Sequence, residues 1–479
     1  MPINLSKMEA NTSNDNASFR NRITTVDDEG KRKWLFPKKP KGKFTNYRTY
    51  LSYLLLIILF VNPWIKIDGE PLLMFNIIER KFILFGQVFW PQDFFLFALI
   101  MITMVIFIVL FTAVYGRVFC GWICPQTIFM EMVFRKIEYW IDGDYKQQIQ
   151  LKKQTWNTQK IIKRVFKYGL FYLISVIIAH TFLAYIIGSD ELVRIQTSPI
   201  QEHLVGFISI LVFSWVFFFV FAWFREQVCL IVCPYGRLQG VMLDRNSLVV
   251  AYDYIRGEKR AKFKKNEDRK SENKGDCIDC HQCVDVCPTG IDIRNGTQLE
   301  CINCTACIDA CDYMMENVGL EKGLIRIDSE NAIAENKRQF FTTRAKAYTA
   351  VLIVLIGFVI YLFTLRGSME ASILRTPGML YQEQENGFIS NLYNVKVVNK
   401  SNKDLKLTFE LENMDGEVKM VGMDTLRLEK GKSNQQAFFV NISKENLKEK
   451  STPIKIGIYN NGELIHENET SFLGPNTTK

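Results

Sequence analysis

No cysteine lies beyond Cys311, so the C-terminal part of the chain can hold neither a disulfide nor a thiolate site. No apolar stretch precedes Thr49. Residues from Met1 to about Phe44 are polar and rich in Asn, Ser and Lys, which argues against a signal peptide and predicts a disordered tail. Charge is absent from whole segments: Phe94 to Tyr115 and Leu204 to Phe224 contain no Asp, Glu, Lys or Arg. Uncharged runs of that length are foreign to an ordinary soluble domain. The formal net charge is +9. Its cations border the apolar runs, so they read as loop charges at a lipid bilayer, and no nucleic-acid partner is expected.

What is present is a multi-span pattern. Five segments are predicted to cross a bilayer: about Thr49 to Ile65, Phe94 to Tyr115, about Phe166 to Ile187, Leu204 to Phe224, and about Ala347 to Leu365. Each is near the roughly 20 residues a helix needs to span about 30 Å of hydrocarbon. Leu72 to Trp90 is also apolar, but Glu79, Arg80 and Lys81 interrupt it, and it is expected to lie along the interface. Cations crowd the tail, the loop after the second span (Arg117, Arg135, Lys136, Lys152, Arg164) and the loop from Arg225 through Lys274. The two alternate loops are poor in them. The positive-inside rule then puts the N-terminus and residues 225–345 in the cytoplasm of a bacterial inner-membrane protein, with the C-terminal domain in the periplasm.

Past the fifth span the period changes to two. Tyr393, Val395 and Val397 alternate with Asn394 and Lys396, and Leu405, Leu407, Phe409 and Leu411 alternate with Lys406, Thr408 and Glu410. Such alternation marks half-buried strands, and Asn461-Gly462 marks a hairpin turn. About seven short strands suit an immunoglobulin-like sandwich. The expected organisation is a polar tail (1–47), a four-span region (48–240), a cytoplasmic ferredoxin-like segment (241–345), a fifth transmembrane helix (346–366) and a periplasmic immunoglobulin-like domain (367–479). The fold class is thus a multi-domain membrane protein: an α-helical transmembrane bundle, a two-cluster ferredoxin insert and an all-β sandwich.

The twelve cysteines carry the chemistry. Cys277, Cys280, Cys283 and Cys287 are spaced C-x-x-C-x-x-C-x-x-x-C, and Cys301, Cys304, Cys307 and Cys311 repeat that spacing 24 residues later. Three thiolates two residues apart can wrap one iron–sulfide cube, while the fourth, after a longer gap, crosses to the other cube. This assigns one 4Fe-4S cluster to Cys277, Cys280, Cys283 and Cys311, and a second to Cys301, Cys304, Cys307 and Cys287. Two zinc knuckles are the competing reading, disfavoured by the tight triplets and the crossing fourth ligand. His281, inside the first motif, is expected near the site or in solvent rather than as a ligand.

Two further pairs, Cys120/Cys124 and Cys229/Cys233, are each followed by proline, and corresponding cysteines are 109 residues apart. Each pair ends an uncharged span, so the membrane region reads as two repeated helix pairs. On a helix, positions i and i+4 share a face, and four soft sulfurs converging near the membrane surface would suit Cu(I), zinc or an iron centre. The plainer reading is small buried residues at helix contacts. His180, the one histidine within a span, is a candidate by position; a haem would want a second axial ligand, and His203 is poorly placed for it.

Long stretches extend the signal beyond the cysteines: Pro63-Trp64, Phe89 to Phe95, Cys120 to Gln126, Arg225 to Cys229, Cys233 to Tyr235, Arg256 to Glu258, Cys277 to Asp312 and Lys322 to Arg326. In these the chain resembles the cytochrome c oxidase accessory proteins known as CcoG, FixG or RdxA, from about Trp34 to the C-terminal sandwich. The resemblance implies assembly of a cbb-type oxidase. It also implies reduction of Cu(II) to Cu(I) for that oxidase's copper-loading factors. Cys120, Cys124, Cys229 and Cys233 are then the candidate catalytic and copper-binding thiols. The electron donor is not named by the sequence, and a homodimer is left open. Alternatives are a quinol-linked electron-transfer subunit feeding a periplasmic reductase, and an assembly scaffold without turnover.

Overall fold

A computed structural model describes residues 24–475, apart from 27–28, 68, 78–80, 86, 91–93, 266, 270, 336–341, 366, 368, 385–386, 402, 423–424 and 448. Most of the polar tail, and Pro91 to Asp93 of the motif stretches, therefore lie outside the described residues.

Among the described residues, five helices are long and apolar enough to cross a membrane. Their bounds are Lys43–Val61, Phe94–Tyr115, Thr158–Ile187, Leu204–Phe219 (continued by a π-helical turn, Val220–Phe224) and Thr343–Thr364. The third begins earlier than hydropathy suggests. Thr158 to Val165 is polar, but Asn157 Oδ1 accepts the Lys160 backbone N–H at 2.8 Å, a side-chain cap that starts the helix a turn or two outside the apolar run. Leu72 to Trp90 is β-structure: strands Leu73–Asn76, Lys81–Leu84 and Gln87–Phe89 form a three-stranded antiparallel sheet with Met74, Ile83 and Val88 inside. Of the charges that break the hydropathy run, Lys81 opens the second strand, paired with Asn76, and Glu79 and Arg80 lie outside the described residues.

The chain divides into two compact units. One comprises Pro63–Ala98, Tyr185–Gly188 and Phe358–Lys479. Its C-terminal part is a sandwich of two antiparallel sheets. In the first, Gly416–Met420, Ser433–Ser443, Phe388–Asn399 and Met369–Arg375 are neighbours in that order, with Gln382–Glu383 also pairing with Phe388–Asn399. The second runs Leu426–Leu428, Leu405–Leu411, Ser451–Asn460, Glu463–Leu473. Nine strands replace the expected seven, because the two-residue Gln382–Glu383 and three-residue Leu426–Leu428 are too short to show a period. Tyr393, Val395, Val397, Leu407 and Phe409 all face the core, as their alternation demands. Asn461 and Gly462 both have positive φ, the type I′ requirement that matches the twist of the strands they join.

The other unit comprises Met1–Asn62, Leu99–Ala184 and Ser189–Gly357. Strands Val249–Tyr252 and Ile325–Asp328 pair antiparallel and close the cysteine-rich segment. Its interior is apolar in its own right: Val250, Ile278, Ile291, Ile293, Ile308 and Leu324 surround the thiols. Asp309, in that segment, accepts backbone N–H bonds from Phe44 at 3.1 Å and Thr45 at 2.7 Å, and so caps the start of the first span.

Candidate iron–sulfur and thiol sites

The backbone of the insert is bent around its cysteines by four left-handed residues. Asp279 and His281 have φ of 52° and 56°; Asn303 and Thr305, 24 positions on, have 52° and 65°. Asp, Asn and His tolerate this region, whereas threonine, being β-branched, is strained there. The same turn at both repeats makes the sequence duplication a structural one. His281 and Thr305 then cap the helices Gln282–Asp285 and Ala306–Asn317. Cys283 and Cys307 lie in the first turns. Cys311 follows one turn later on the longer helix, and Cys287 just beyond the shorter.

This arrangement brings the thiols together crosswise. Cys311 feels Cys283, Cys280 and Cys277; Cys301 feels Cys304 and Cys287; Cys307 feels Cys304, Cys301 and Cys287, and more weakly Cys283 of the other set. A cavity is lined by Cys287, Cys301, Cys304 and Cys307, with Cys283 and Val250 at its wall. Burial pushes the Cys283 and Cys301 thiols up to about 12 and Cys304 to about 11. Buried neutral thiols give up their protons only to a metal group, so loading is coupled to proton release. Among the described residues, no three His, Cys, Asp or Glu side chains converge tightly enough for a single ion. A cavity enclosed by Cys287, Cys301, Cys304 and Cys307 fits an iron–sulfur cube with one thiol at each corner. Cys277, Cys280, Cys283 and Cys311, and Cys301, Cys304, Cys307 and Cys287, are the residues that would hold two such cubes. His281 is turned elsewhere: its Nδ1 meets Arg294 Nη2 at 3.0 Å and its Nε2 lies 3.3 Å from Asp279.

The second thiol group is also duplicated in three dimensions. The Cys120 N–H bonds the Arg117 carbonyl and that of Cys124 the Phe119 carbonyl; 109 positions on, Cys229 bonds Glu226 and Cys233 bonds Val228. The pairs do not share one regular helix face, however. Cys124 and Cys233 are extended (ψ 123° and 109°), each ending one turn and capping a new helix with Pro125 or Pro234 at its first position. Proline cannot continue the preceding helix, and the resulting break swings the second thiol out of register. The four thiols remain close enough to act on one another without converging on one point: Cys229 feels Cys124, Cys120 and Cys233, and burial is the main cause that lifts it to about 12. Cys120, lifted to about 11 by burial against the opposing pull of Arg117, has its Sγ 3.1 Å from Gln239 Oε1, which also accepts from Arg117 Nε at 2.9 Å. The Gln239 amide nitrogen is buried without a partner.

The two sites touch. A Cβ on Gly121 would run into the Ile302 carbonyl and the Asn303 and Cys304 backbone, so only glycine permits this approach. Trp122 Nε1 donates to the Asn303 carbonyl at 3.1 Å, and Arg48 Nε to the Gly121 carbonyl at 2.7 Å. Cys120 shares an apolar cluster with Ile302, Cys304 and Ala306. Sequence reasoning missed this contact; the glycine between the cysteines was its one visible sign. His180 joins neither site: its Nδ1 bonds the Val176 carbonyl of its own helix at 2.7 Å.

Comparison with known proteins agrees with this construction. Residues 224–330 match the family model described as a 4Fe-4S dicluster domain, residues 97–144 a 4Fe-4S binding domain, and residues 359–475 the immunoglobulin-like fold at the C-terminus of FixG. Fold and thiols together define a membrane-type iron–sulfur protein with a C-terminal immunoglobulin-like domain. The chain is 35% identical to protein RdxB of Cereibacter sphaeroides over 77% of its own length and 80% of that protein's. It is 32% identical to RdxA of the same organism, covering 80% and 83%. To the nitrogen fixation protein FixG of Rhizobium meliloti it is 30% identical, covering 80% of each. It belongs to the FixG/RdxA family.

Proposed function

We propose that this protein acts in the assembly of a cbb-type cytochrome c oxidase by reducing Cu(II) to Cu(I) at Cys120, Cys124, Cys229 and Cys233. The observation that carries the reading is the contact of Gly121 and Cys120 with Ile302–Cys304, which sets the second thiol group directly against a cluster-binding loop. Clusters bound by the eight insert cysteines supply electrons one at a time. Everything else is the chain's work. The four outer thiols bind the copper substrate and favour its soft Cu(I) state. An ion held by two of them needs no tighter triplet. Arg117 places positive charge beside Cys120 and eases its deprotonation.

Sidedness follows the same reading. The clusters face the cytoplasm, and the sandwich faces the periplasm with the loops that follow the first and third spans. Grouping of Pro63–Ala98 and Tyr185–Gly188 with Phe358–Lys479 in one unit supports that arrangement.

The test is a stopped-flow experiment on anaerobically purified, dithionite-reduced protein mixed with Cu(II). Wild type should reoxidise its clusters as Cu(I) appears. A Cys120→Ser/Cys229→Ser variant should keep its iron and lose the reaction. Undiminished copper reduction by that variant removes these thiols from the mechanism.

A further inference from the structure

The thiol sites leave unexplained a group of buried charges at the ends of the third and fourth spans. Glu138 takes two bonds of 2.7 Å from the Arg225 guanidinium, and Lys167 Nζ lies 3.6 Å from its Oε1. Lys167 also bonds Asp142 Oδ2 at 2.7 Å. Arg225 Nε and Arg135 Nη2 lie 3.6 and 3.8 Å from Glu226 Oε2, and Arg135 Nε lies 3.0 Å from Glu131. Glu131 is near enough to Cys304 to act on its thiol. A continuous line of alternating charge thus runs from Asp142 to the neighbourhood of a cluster ligand. Buried ion pairs are costly, and a chain of them at a membrane edge asks for a reason beyond stability.

The far end of that line opens into a cavity of about 140 Å³. Trp34, Phe36 and Tyr168 give it aromatic walls; Glu138 and Asp142, with Lys152, Arg164, Lys167 and Arg225, give it charge. Asp142 is 4% exposed, and its Oδ1 is buried without a hydrogen-bond partner while its Oδ2 serves Lys167. An orphaned carboxylate oxygen beside a cavity calls for a donor, and a ring hydroxyl supplies one. Aromatic walls call for a flat ring. The lining residues Tyr168 and Ala222 belong to spans, which sets the cavity against the membrane-crossing helices.

We propose that this cavity binds the headgroup of a quinol, with Asp142 accepting the hydrogen bond, and then the proton, of one ring hydroxyl. The proposal rests on the electron-transfer reading above and supplies its missing donor. The balance is simple. Two O–H bonds of the quinol break and two ring C–O bonds become carbonyls. One proton goes to Asp142 and the other to water at the cavity mouth. The two electrons reduce the two clusters by one each, so a two-electron donor is matched by a pair of one-electron acceptors. Asp142 hands its proton on to solvent past the partly exposed Arg164.

The experiment uses the full-length protein in lipid nanodiscs with oxidised clusters, mixed anaerobically with menadiol. Wild type should bleach its cluster absorbance. Asp142→Asn should bleach about a hundredfold more slowly, the usual scale of a lost general base, while dithionite reduces both alike. A binding measurement, quenching of 2-heptyl-4-hydroxyquinoline N-oxide fluorescence, should weaken about tenfold in Asp142→Asn and in Trp34→Leu. Trp34→Leu keeps the ion pairs and guards against a merely misfolded variant. Equal bleaching and equal inhibitor binding in all three proteins overturns the proposal. So does a phospholipid retained in the cavity with quinol turnover indifferent to Asp142. Clusters that ignore menadiol yet pass dithionite electrons to Cu(II) would sink the quinol site and leave the copper reading standing. Bleaching that depends on Asp142 in a protein inert toward Cu(II) would do the reverse.

Discussion

The two compact units of this chain solve burial in opposite ways. The unit with the sandwich has no cysteine, and twenty residues, from Met369 to Phe472, form one buried apolar core. Two of its interior polar side chains tie the sheets together: Tyr393 Oη donates to the Ser471 carbonyl at 2.9 Å, and Asn391 Nδ2 to the Leu473 carbonyl at 2.7 Å, while the atoms left without a partner, Ser390 Oγ, Asn391 Oδ1 and Thr452 Oγ1, are all uncharged. The unit with the thiols buries Arg135, Glu138, Arg225 and Gln239, and leaves several of their atoms without hydrogen-bond partners. A fold closed by an apolar core scaffolds; one that keeps charge and thiol in its interior is built around groups it must bind or move.

The difference predicts where the molecule is fragile. Cys311→Ser should have the largest effect. It lies in the second motif, yet its neighbours are Cys277, Cys280 and Cys283, so the first-motif cluster should be lost and iron content should fall by about half. Cys287→Ser should remove the other cluster. Electron paramagnetic resonance of each reduced variant identifies which survives. Unchanged melting of the sandwich in both would sharpen the contrast between the units. Loss of the same cluster in both variants would break the crosswise assignment.

Glu138→Gln comes next. It leaves Arg225 buried with half its partnership gone, a change that costs about 3–5 kcal/mol when one member of a buried pair is removed. The ordinary carboxylate also carries a pH dependence. Burial alone would raise Glu138, but Arg225 first and then Lys167 more than offset it and hold it well below the usual range. A depressed folded-state pKa stabilises the protein fully above the unfolded value of about 4.3, and that contribution fades as pH falls below it. Thermal melts in detergent between pH 7 and pH 3 should show the wild-type advantage over Glu138→Gln shrinking with acid. An advantage independent of pH would mean the pair is not ionised.

How much of this was legible in the sequence divides along the same line. The sandwich strands announced themselves because alternation and an Asn-Gly turn are local signals, and the spans because hydropathy is. The insert cysteines were readable because cluster geometry fixes their spacing. Arg135 and Arg225 were not: they were counted as loop cations that set orientation, and instead they are interior ions, which besides the local partners Glu131 and Glu226 reach across the chain, Arg225 to Glu138 and Arg135 to Glu226. Glu226 was quoted only as part of a motif. Asp142 carried no local signal at all. Contacts between distant segments leave no period and no spacing, which is also why the meeting of Gly121 with Ile302 stayed hidden.

That meeting gives a smaller but more pointed test. Gly121→Ala puts a methyl into the Ile302–Cys304 backbone, and overpacking of this kind costs about 1–3 kcal/mol. Cluster content should survive, since no ligand is touched, while copper reduction slows because the two sites are pushed apart. A variant with full iron and full copper reduction would show that electrons do not cross at this contact.

Tyr393→Phe should have the least effect. The phenol is buried in the sandwich core against Phe438, with ring centroids 5.6 Å apart, and phenylalanine preserves that stacking. What disappears is one hydrogen bond between the sheets, and the Ser471 carbonyl is left short of a donor. Such a loss costs about 1 kcal/mol. In a cysteine-free sandwich this bond does part of the pinning that an inter-sheet disulfide does elsewhere. The sandwich melt should therefore shift down by a few degrees, with iron content and copper reduction untouched. A shift much larger than that would mean the apolar-cored unit leans on one polar contact as heavily as the other unit leans on its thiols.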